Sequence, residues 1–504
     1  MFDYFKLFIS LFIPWLIGAG VLSLFKRRFS ASNWPRPVWL VFSFALGVGL
    51  ISYLMFWSGL IGLSLKVFMA ILTGLAGILA VFYLMKFAVF NRGKFLVKEK
   101  TWFKNLFSLN FKIDFLSIVK IILVLIIIFQ TVFIFTAASL RPHIYVDILE
   151  NWGWKAKVFF YQPDQAFNSQ SSLFLGGESH RHYPLHVPLF MTWIYSWLGE
   201  VNDALVNVVF AFYFIALLIL VYFTLRSWSK HGSWRNALNL ALTAVLATLP
   251  LLNYHGFNAY ADLPLTFYFT LAVVCFLNYL KNRSRLDLVL AALFAGLSIW
   301  VKNTGLVLSA VIFIVFLIYL INSYFKKDWR SVGKDFLFFC FWFVFFISPW
   351  LVFKEFFAIV YLGNPAIAWF HPEVIPAVFQ QIFFLRSFHF WPGIFILILL
   401  FSWRQLFPGL SYSHGRIRIS RARGEDYAIR MLFLIILGVI AAYFSLYLFT
   451  THYEYVIDGT SVGRNFLTLM PISVLLAGLL LKDIFGNRVP KETQSPKVRS
   501  RSSI

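Results

Sequence analysis

The sequence predicts an all-α protein that crosses a membrane many times, and composition and patterning both support this. Hydrophobic residues make up 60% of the 504 residues and charged residues only 13%, with a mean hydropathy of +0.77. That is too little charge to cover the surface of a soluble domain. The hydrophobic residues form runs near the length of about 20 that spans a bilayer as a helix. Clusters of Lys and Arg lie between the runs, as in the cytoplasmic loops of membrane proteins.

The apolar runs predict about 13 transmembrane helices. In chain order they cover 4–25, 38–58, 61–85, 115–139, 203–225, 236–253, 263–281, 287–302, 304–324, 335–353, 389–404, 428–450 and 464–482. The first run lacks the basic start and the small-residue cleavage site of a signal peptide, so we expect it to be retained as a helix.

The basic clusters orient these helices, because positively charged loops stay in the cytoplasm. All clusters share one side if the N-terminus is outside and the C-terminus is cytoplasmic in a multi-pass plasma (inner) membrane protein. This orientation requires that 186–199 does not cross, and its Trp193, Tyr195 and Trp197 predict a helix in the outer interface. The clusters lie at 26–28, 92–112, 226–235, 281–285, 326–334, 404–423 and 482–501.

Dividing the basic residues among these loops also excludes one class of partner. The net charge is +23, but no basic face is free of membrane sequence, so we expect no nucleic acid to bind. We divide the chain into a three-helix segment with a basic linker (1–113), the main membrane module (114–482) and a basic cytoplasmic tail (483–504). Cys275 and Cys340 lie inside apolar runs and are predicted to be packing residues.

The predicted outer segments carry most of the polar side chains that indicate a site. These segments are 140–202, 254–262, 354–388 and 451–463, and eight of the ten histidines lie in or beside them. The inner loops hold mostly Lys and Arg. We therefore expect the working face of the protein to be the outer one.

The first outer segment contains two acids followed by two lysines. Asp147 and Glu150 are three residues apart and would share one face of a helix. A carboxylate there could act as a general base, and Lys155 and Lys157 could hold a phosphate. Solvated ion pairs on a surface helix would explain the same spacing.

Three charged residues near predicted helix ends have two interpretations each. Asp262, beside Pro264, is either a helix-dipole partner in the first turn or a second site carboxylate near His255. Lys302, in a predicted tight turn at 302–305, and Arg464, a lone outer arginine, either reach lipid headgroups or bind a lipid phosphate.

The segment from Glu178 to His186 concentrates histidines. Glu178, His180 and His182 could hold a divalent cation (Mg²⁺, Mn²⁺ or Zn²⁺), although their spacing matches no defined metal motif. A polar loop at lipid headgroups would have a similar composition. The chain has no nucleotide-binding glycine loop in a fitting context, which excludes soluble nucleotide chemistry.

The order of these pieces resembles the GT-C superfamily of integral-membrane glycosyltransferases. That group includes the protein O-mannosyltransferases, the lipid A aminoarabinose transferase and bacterial lipopolysaccharide sugar transferases. The resemblance covers about 140–482 and is carried by Val146-Asp147, Trp154-Lys155-Ala156-Lys157, Tyr183-Pro184-Leu185, Ala261-Asp262-Leu263-Pro264, Lys302-Asn303-Thr304-Gly305, and Arg464 with Pro471.

The resemblance implies transfer of a sugar from a polyprenyl phosphate to an acceptor lipid, glycan or protein on the non-cytoplasmic face, in a GT-C-like fold. It implies Asp147 as the base. The other implied residues are Glu150 and Asp262 as supporting carboxylates, Lys155, Lys157, Lys302 and Arg464 on the donor phosphate, and His182, Tyr183 and His255 in the substrate pocket.

The chain departs from the family pattern in two motifs. His182-Tyr183-Pro184-Leu185 stands where relatives often have Asp-Tyr-Pro-Pro, and Thr304 stands where many have Glu. The first-loop acids are not adjacent, as they often are in the family, which weakens the role of Glu150. Two alternatives stay open, a transporter or flippase of lipid-linked sugars and a polymerase or ligase of surface glycans.

Overall fold

The computed structural model describes residues 2–29, 34–91, 114–177, 180–228, 232–325, 327–359, 366–385, 387–407 and 424–486. Within these ranges the chain is helical and has no strand, apart from one isolated bridge between Ile367 and Thr450. The prediction of an all-α fold is confirmed. The basic residues at 92–113, 408–423 and 487–504 lie outside the described residues, so the orientation of the chain in the membrane stays a prediction.

The helices follow one another with short connections. They are α1 Phe2–Arg28, α2 Arg36–Leu60, α3 Leu65–Asn91, α4 Phe115–Leu140, α5 Gly153–Tyr161, α6 Pro163–Ala166, α7 His186–Leu198, α8 Val208–Trp228, α9 Ser233–Thr248, α10 Pro250–Gly256, α11 Asp262–Asn282, α12 Arg285–Val301, α13 Thr304–Phe325, α14 Trp329–Phe356, α15 Val374–Phe383, α16 Trp391–Phe401, α17 Trp403–Leu406, α18 Gly424–Phe449, α19 Tyr453–Ile457, α20 Val462–Phe466 and α21 Leu469–Gly486. A π-helical turn, Ile148–Trp152, precedes α5, and single 3₁₀ turns lie at Phe174–Gly176 and Leu205–Asn207.

The number of membrane-spanning helices is smaller than the sequence predicts. Of the described helices, nine are long and apolar enough to cross a bilayer, and ten if α9 and α10, bent by 67°, form one span. The bend lies at Pro250, which has no N–H for the helical hydrogen bond. The count of 13 is not confirmed, since α12 and α16 have only 17 and 11 residues and the apolar part of α21 is also short. The chain is nonetheless a multi-pass membrane protein.

Helix α11 lies at the centre of the bundle. Every side chain from Asp262 to Leu280 is buried, as expected for a helix that is apolar on all sides and enclosed by other helices. It packs against α8, α12, α18 and α21. The first residue of this helix, an aspartate, is therefore held inside the protein.

Helices α1 and α2 are tightly joined to each other and to the main module. A Cβ on Gly18 would overlap the carbonyl oxygen of Ser43, so the two backbones touch where the helices cross. Ser52 on α2 hydrogen-bonds the Nδ1 of His186 at 2.8 Å, and Tyr268 donates to the carbonyl of Ala45 at 2.8 Å. The division of the chain at residue 113 remains a prediction.

Helix α7 forms at the residues that the sequence predicts. Its Trp193 and Tyr195 are fully buried, and Trp193 donates a hydrogen bond to the carbonyl of Ser10 on α1 at 2.7 Å. Protein rather than lipid surrounds these two aromatic side chains. Cys275 is also buried and Cys340 partly so, both as free thiols, in agreement with the predicted packing role.

Candidate active site

Asp262 is the centre of a buried ion cluster. Its side chain is 1% exposed, and Oδ1 accepts a hydrogen bond from Lys302 Nζ at 2.6 Å. Oδ2 accepts from Nε and Nη2 of Arg464, both at 3.0 Å. The carboxylate thus serves as a site residue, the second of the two interpretations. A buried carboxylate with two cationic donors is strongly held, because losing one partner would leave an uncompensated charge.

Asp147 joins this cluster through Arg464. Nη1 of Arg464 donates to Asp147 Oδ2 at 2.5 Å, so one guanidinium bridges two carboxylates that are distant in sequence. Burial alone would lower the pKa of Arg464, but the carboxylates of Asp262 and Asp147 outweigh it and raise that pKa above its ordinary value. Asp147 is the more accessible acid, with 39% of its side chain exposed.

Local backbone structure places Lys302. Helix α12 ends at Val301 and Lys302 is extended, with φ −156° and ψ 144°. The chain then turns at once, and Gly305 N–H donates to the carbonyl of Lys302 at 2.8 Å. A Cβ on Gly305 would overlap the carbonyl oxygen of Ser298, so only glycine allows this approach. The predicted tight turn at 302–305 is confirmed.

The ion cluster opens into a cavity of about 640 Å³. That volume is within the range of small-molecule sites. Its walls combine charged, amide, hydroxyl and aromatic groups, and they come from the first outer segment, from the α12–α13 turn and from the segment after α18. The lining residues are Tyr145, Val146, Asp147, Asn151, Trp152, His180, His182, Tyr183, Tyr260, Lys302, Thr304, Leu446, Tyr447, His452, Tyr455, Asp458, Thr460, Ser461, Arg464 and Asn465.

The predicted pocket residues His182 and Tyr183 lie in this wall. Their rings are 4.6 Å apart. Burial, reinforced by the nearby charge of Lys155, lowers the pKa of His182 to about 3. His182 is therefore neutral at physiological pH. His255 is buried instead between the rings of Tyr254 and Tyr260, at 5.4 and 5.0 Å, and does not line the cavity.

The metal prediction has two of its three residues in the cavity wall. The ring centres of His180 and His182 are 5.7 Å apart, and Glu178 lies outside the described residues. In the part of the chain that the structure describes, no group of three or more His, Cys, Asp or Glu residues is placed to hold a metal ion. Two histidines do not make such a site, and we derive no step through a metal.

Three predicted residues lie away from the cavity. Lys155 is fully buried and donates to the carbonyl of His180 at 2.6 Å. Lys157 pairs with Asp203 at 2.7 Å. Glu150 is exposed to solvent and does not line the cavity. Of the four cations predicted to bind phosphate, Lys302 and Arg464 are in position to do so.

Sequence reasoning missed part of the cavity wall. Asn151 and Trp152 come from the π-helical turn, and Tyr455, Asp458 and Ser461 come from the segment after α18. The latter segment carries several polar residues between two apolar runs, a signal that could have identified it.

Burial of Lys155 predicts a pH-dependent stability. Removal from water lowers the pKa of this lysine to about 7, below its value in the unfolded chain. Between about pH 7 and pH 10 the unfolded state binds more protons, so the free energy of unfolding should rise with pH in that window. Melting temperatures in detergent at pH 6.5 to 9.5 should show this rise in the wild type and a smaller one in Lys155→Met. Equal slopes would contradict the prediction.

The fold and the cavity define a multi-pass helical membrane protein with an ion cluster at helix ends. No family model and no curated protein matches the sequence. Two solved structures are similar to it. ArnT from Cupriavidus metallidurans bound to undecaprenyl phosphate has a TM-score of 0.46 and 13% identity, over 73% of this chain and 60% of that chain. ArnT from the same organism in the apo state has a TM-score of 0.44 and 13% identity, over 72% and 61%. The match therefore spans about three fifths of the ArnT chains.

Proposed function

We propose that this chain is a membrane glycosyltransferase. It moves a sugar from a polyprenyl-phosphate donor to an acceptor lipid, glycan or protein on the non-cytoplasmic face. The observation that carries the proposal is that Lys302 and Arg464, both bound to Asp262, line the same cavity as Asp147. Two cations beside an accessible carboxylate are what a phosphate leaving group and a nucleophilic hydroxyl require.

The reaction is a single displacement. The acceptor hydroxyl attacks the anomeric carbon, its proton passes to Asp147, and the bond from that carbon to the phosphate oxygen breaks. The transition state carries positive charge on the sugar and growing negative charge on the phosphate, which Lys302 and Arg464 stabilise. One displacement inverts the anomeric centre. A phosphate that binds Arg464 competes with Asp147 for the guanidinium and so releases the base.

An apolar cavity beside the site supports a prenyl carrier. It measures about 280 Å³ and lies between α15, α16, α18 and α21, with almost entirely apolar walls. Helix α20 separates the two cavities: Arg464 and Asn465 line the polar one, and Phe466 lines the apolar one. A lipid phosphate at Arg464 thus has an apolar surface within one helical turn for its first isoprene units.

The position of the charges supports an enzyme rather than a transporter. Transporters place ionisable groups near the bilayer midplane. Here Asp262 begins α11 and Lys302 follows the end of α12. The charged residues of the cavity lie at helix ends.

Lipid extracts from cells that lack the protein test the proposal. We expect one polyprenyl-phosphate-linked sugar to accumulate and one glycan, lipid or protein to lose that sugar, and the wild-type protein to reverse both changes. Lys302→Met should restore transfer at about 1 to 10% of the wild-type rate, because a charge-assisted contact to the leaving group is lost. Lys334→Met, at an exposed lysine on α14, is the matched control and should restore transfer fully. Unchanged lipid-linked sugars in the deletion strain would contradict the proposal.

A further inference from the structure

The π-helical turn after Asp147 changes which side chains face the cavity. The turn closes with a hydrogen bond from Gly153 N–H to the carbonyl of Ile148, five residues earlier. The wider turn lets Asp147, Asn151 and Trp152 all line the cavity. Turns of this kind are rare and are frequently found at functional sites. The base proposed above is therefore followed directly by two further polar side chains of the cavity wall.

Asn151 and Trp152 each bury a polar atom that has no partner among the described residues. Asn151 is 3% exposed and its Oδ1 accepts no hydrogen bond, and Trp152 is 1% exposed and its Nε1–H donates none. A buried polar group without a partner is costly, so native structures rarely keep one without a reason. Exchanging the oxygen and nitrogen of the Asn151 amide would leave a donor unsatisfied in place of an acceptor. Both groups belong to the cavity wall, which makes a cavity ligand their available partner.

The chemistry of these two groups selects a class of ligand. An amide oxygen takes a donor and an indole N–H takes an acceptor, and a sugar hydroxyl can supply both. A phosphate or carboxylate would satisfy the indole but not the amide oxygen. The ring of Tyr183 lies 5.3 Å from that of Trp152 at an angle of 44°, which adds an aromatic surface for the C–H face of a sugar ring.

Resting on the proposed function, we infer that Asn151 and Trp152 recognise the hydroxyl groups of the sugar that is transferred. Lys302 and Arg464 hold the phosphate, and Asn151 and Trp152 decide which sugar is accepted. A site built to hydrogen-bond a hydroxyl discriminates strongly against analogues that lack it, because its own buried groups then stay unpaired.

Binding measurements on the purified full-length protein in detergent separate the two roles. The probes are undecaprenyl phosphate alone and undecaprenyl phosphate carrying glucose, mannose, galactose or arabinose. We expect the wild type to bind one of the sugar-bearing lipids more tightly than the bare lipid. Asn151→Leu and Trp152→Phe should each weaken binding of that lipid about tenfold, the effect of one lost hydrogen bond, and leave binding of bare undecaprenyl phosphate unchanged.

The bare lipid also reports folding, since a misfolded variant would lose both affinities. Trp152→Phe keeps an aromatic ring against Tyr183 and is the milder change. Asn168→Leu, at an exposed asparagine of the same outer segment, is the control and should bind all probes as the wild type does. Equal affinity of either variant and the wild type for the preferred lipid, or a wild type that gains nothing from any sugar, overturns the inference but leaves the phosphate site intact. A wild type that binds no lipid phosphate overturns the inference and the proposed function together.

Discussion

Replacing Asp147 with asparagine is expected to lower the rate of sugar transfer by about 10²- to 10⁴-fold, the usual contribution of a general base. The amide can still accept a hydrogen bond from Arg464, but it cannot take the proton of the acceptor hydroxyl. The side chain is 39% exposed, and losing a partly exposed ion pair changes the free energy of unfolding by only about 0 to 1 kcal/mol. The variant should therefore accumulate in the membrane and melt as the wild type does.

The neighbouring acid provides the control for this substitution. Glu150 is exposed and lies outside the cavity wall, so Glu150→Gln should transfer sugar at the wild-type rate. Transfer would be followed as release of polyprenyl phosphate from the donor that accumulates in the deletion strain. A rate for Asp147→Asn within tenfold of the wild type would remove Asp147 from the mechanism.

Asp262→Asn is expected to have the largest effect on stability. The carboxylate is 1% exposed and holds Lys302 and Arg464, so its neutralisation leaves two cations without their shared counter-ion. Breaking a buried ion pair by removing one partner costs about 3 to 5 kcal/mol. We expect a lower melting temperature in detergent and a loss of transfer, because the two cations are no longer held in place.

An exposed ion pair elsewhere in the chain is the matched control. Arg283 contacts Asp328 at 2.9 Å, with side chains 37% and 51% exposed. Asp328→Asn should change the free energy of unfolding by no more than about 1 kcal/mol. If both aspartate variants melted at the same temperature, the cluster at Asp262 would not stabilise the fold.

The fold was largely predictable from the sequence, because apolar runs of bilayer length have few alternatives to helices. The number of spans was not. A run such as 389–404 is apolar enough to cross, but the helix observed there, α16, has only 11 residues. Apolar composition does not reveal where a helix begins and ends when the flanking residues are apolar as well.

The site was predictable where a motif carried its own geometry. Lys302 lies in a turn that Gly305 makes possible, and Asp262 begins a helix, so both are fixed by their neighbours in sequence. Lys155 and Lys157 were not predictable in this way. Their partners, the carbonyl of His180 and the carboxylate of Asp203, are 25 and 46 residues away, and only the packed structure brings them together.

The π-helical turn shows a further limit of sequence reasoning. Regular helical spacing predicts that Asp147 and Glu150 share a face. The observed turn instead brings Asn151 and Trp152 to the cavity and leaves Glu150 in solvent. One extra residue in a single turn changes the set of site residues, and no residue type in Ile148–Trp152 indicates it.

The contact between Arg464 and Asp147 joins residues 317 positions apart, and this has a consequence for biosynthesis. At roughly 5 to 20 residues per second, a ribosome adds Arg464 roughly 15 to 60 s after Asp147. Throughout that interval the nascent chain has its base and Lys302 but lacks the guanidinium that unites them. Catalytic competence should therefore arise late and abruptly, when the last helices join the bundle, and chains released before that point should be inert towards the lipid-linked sugar.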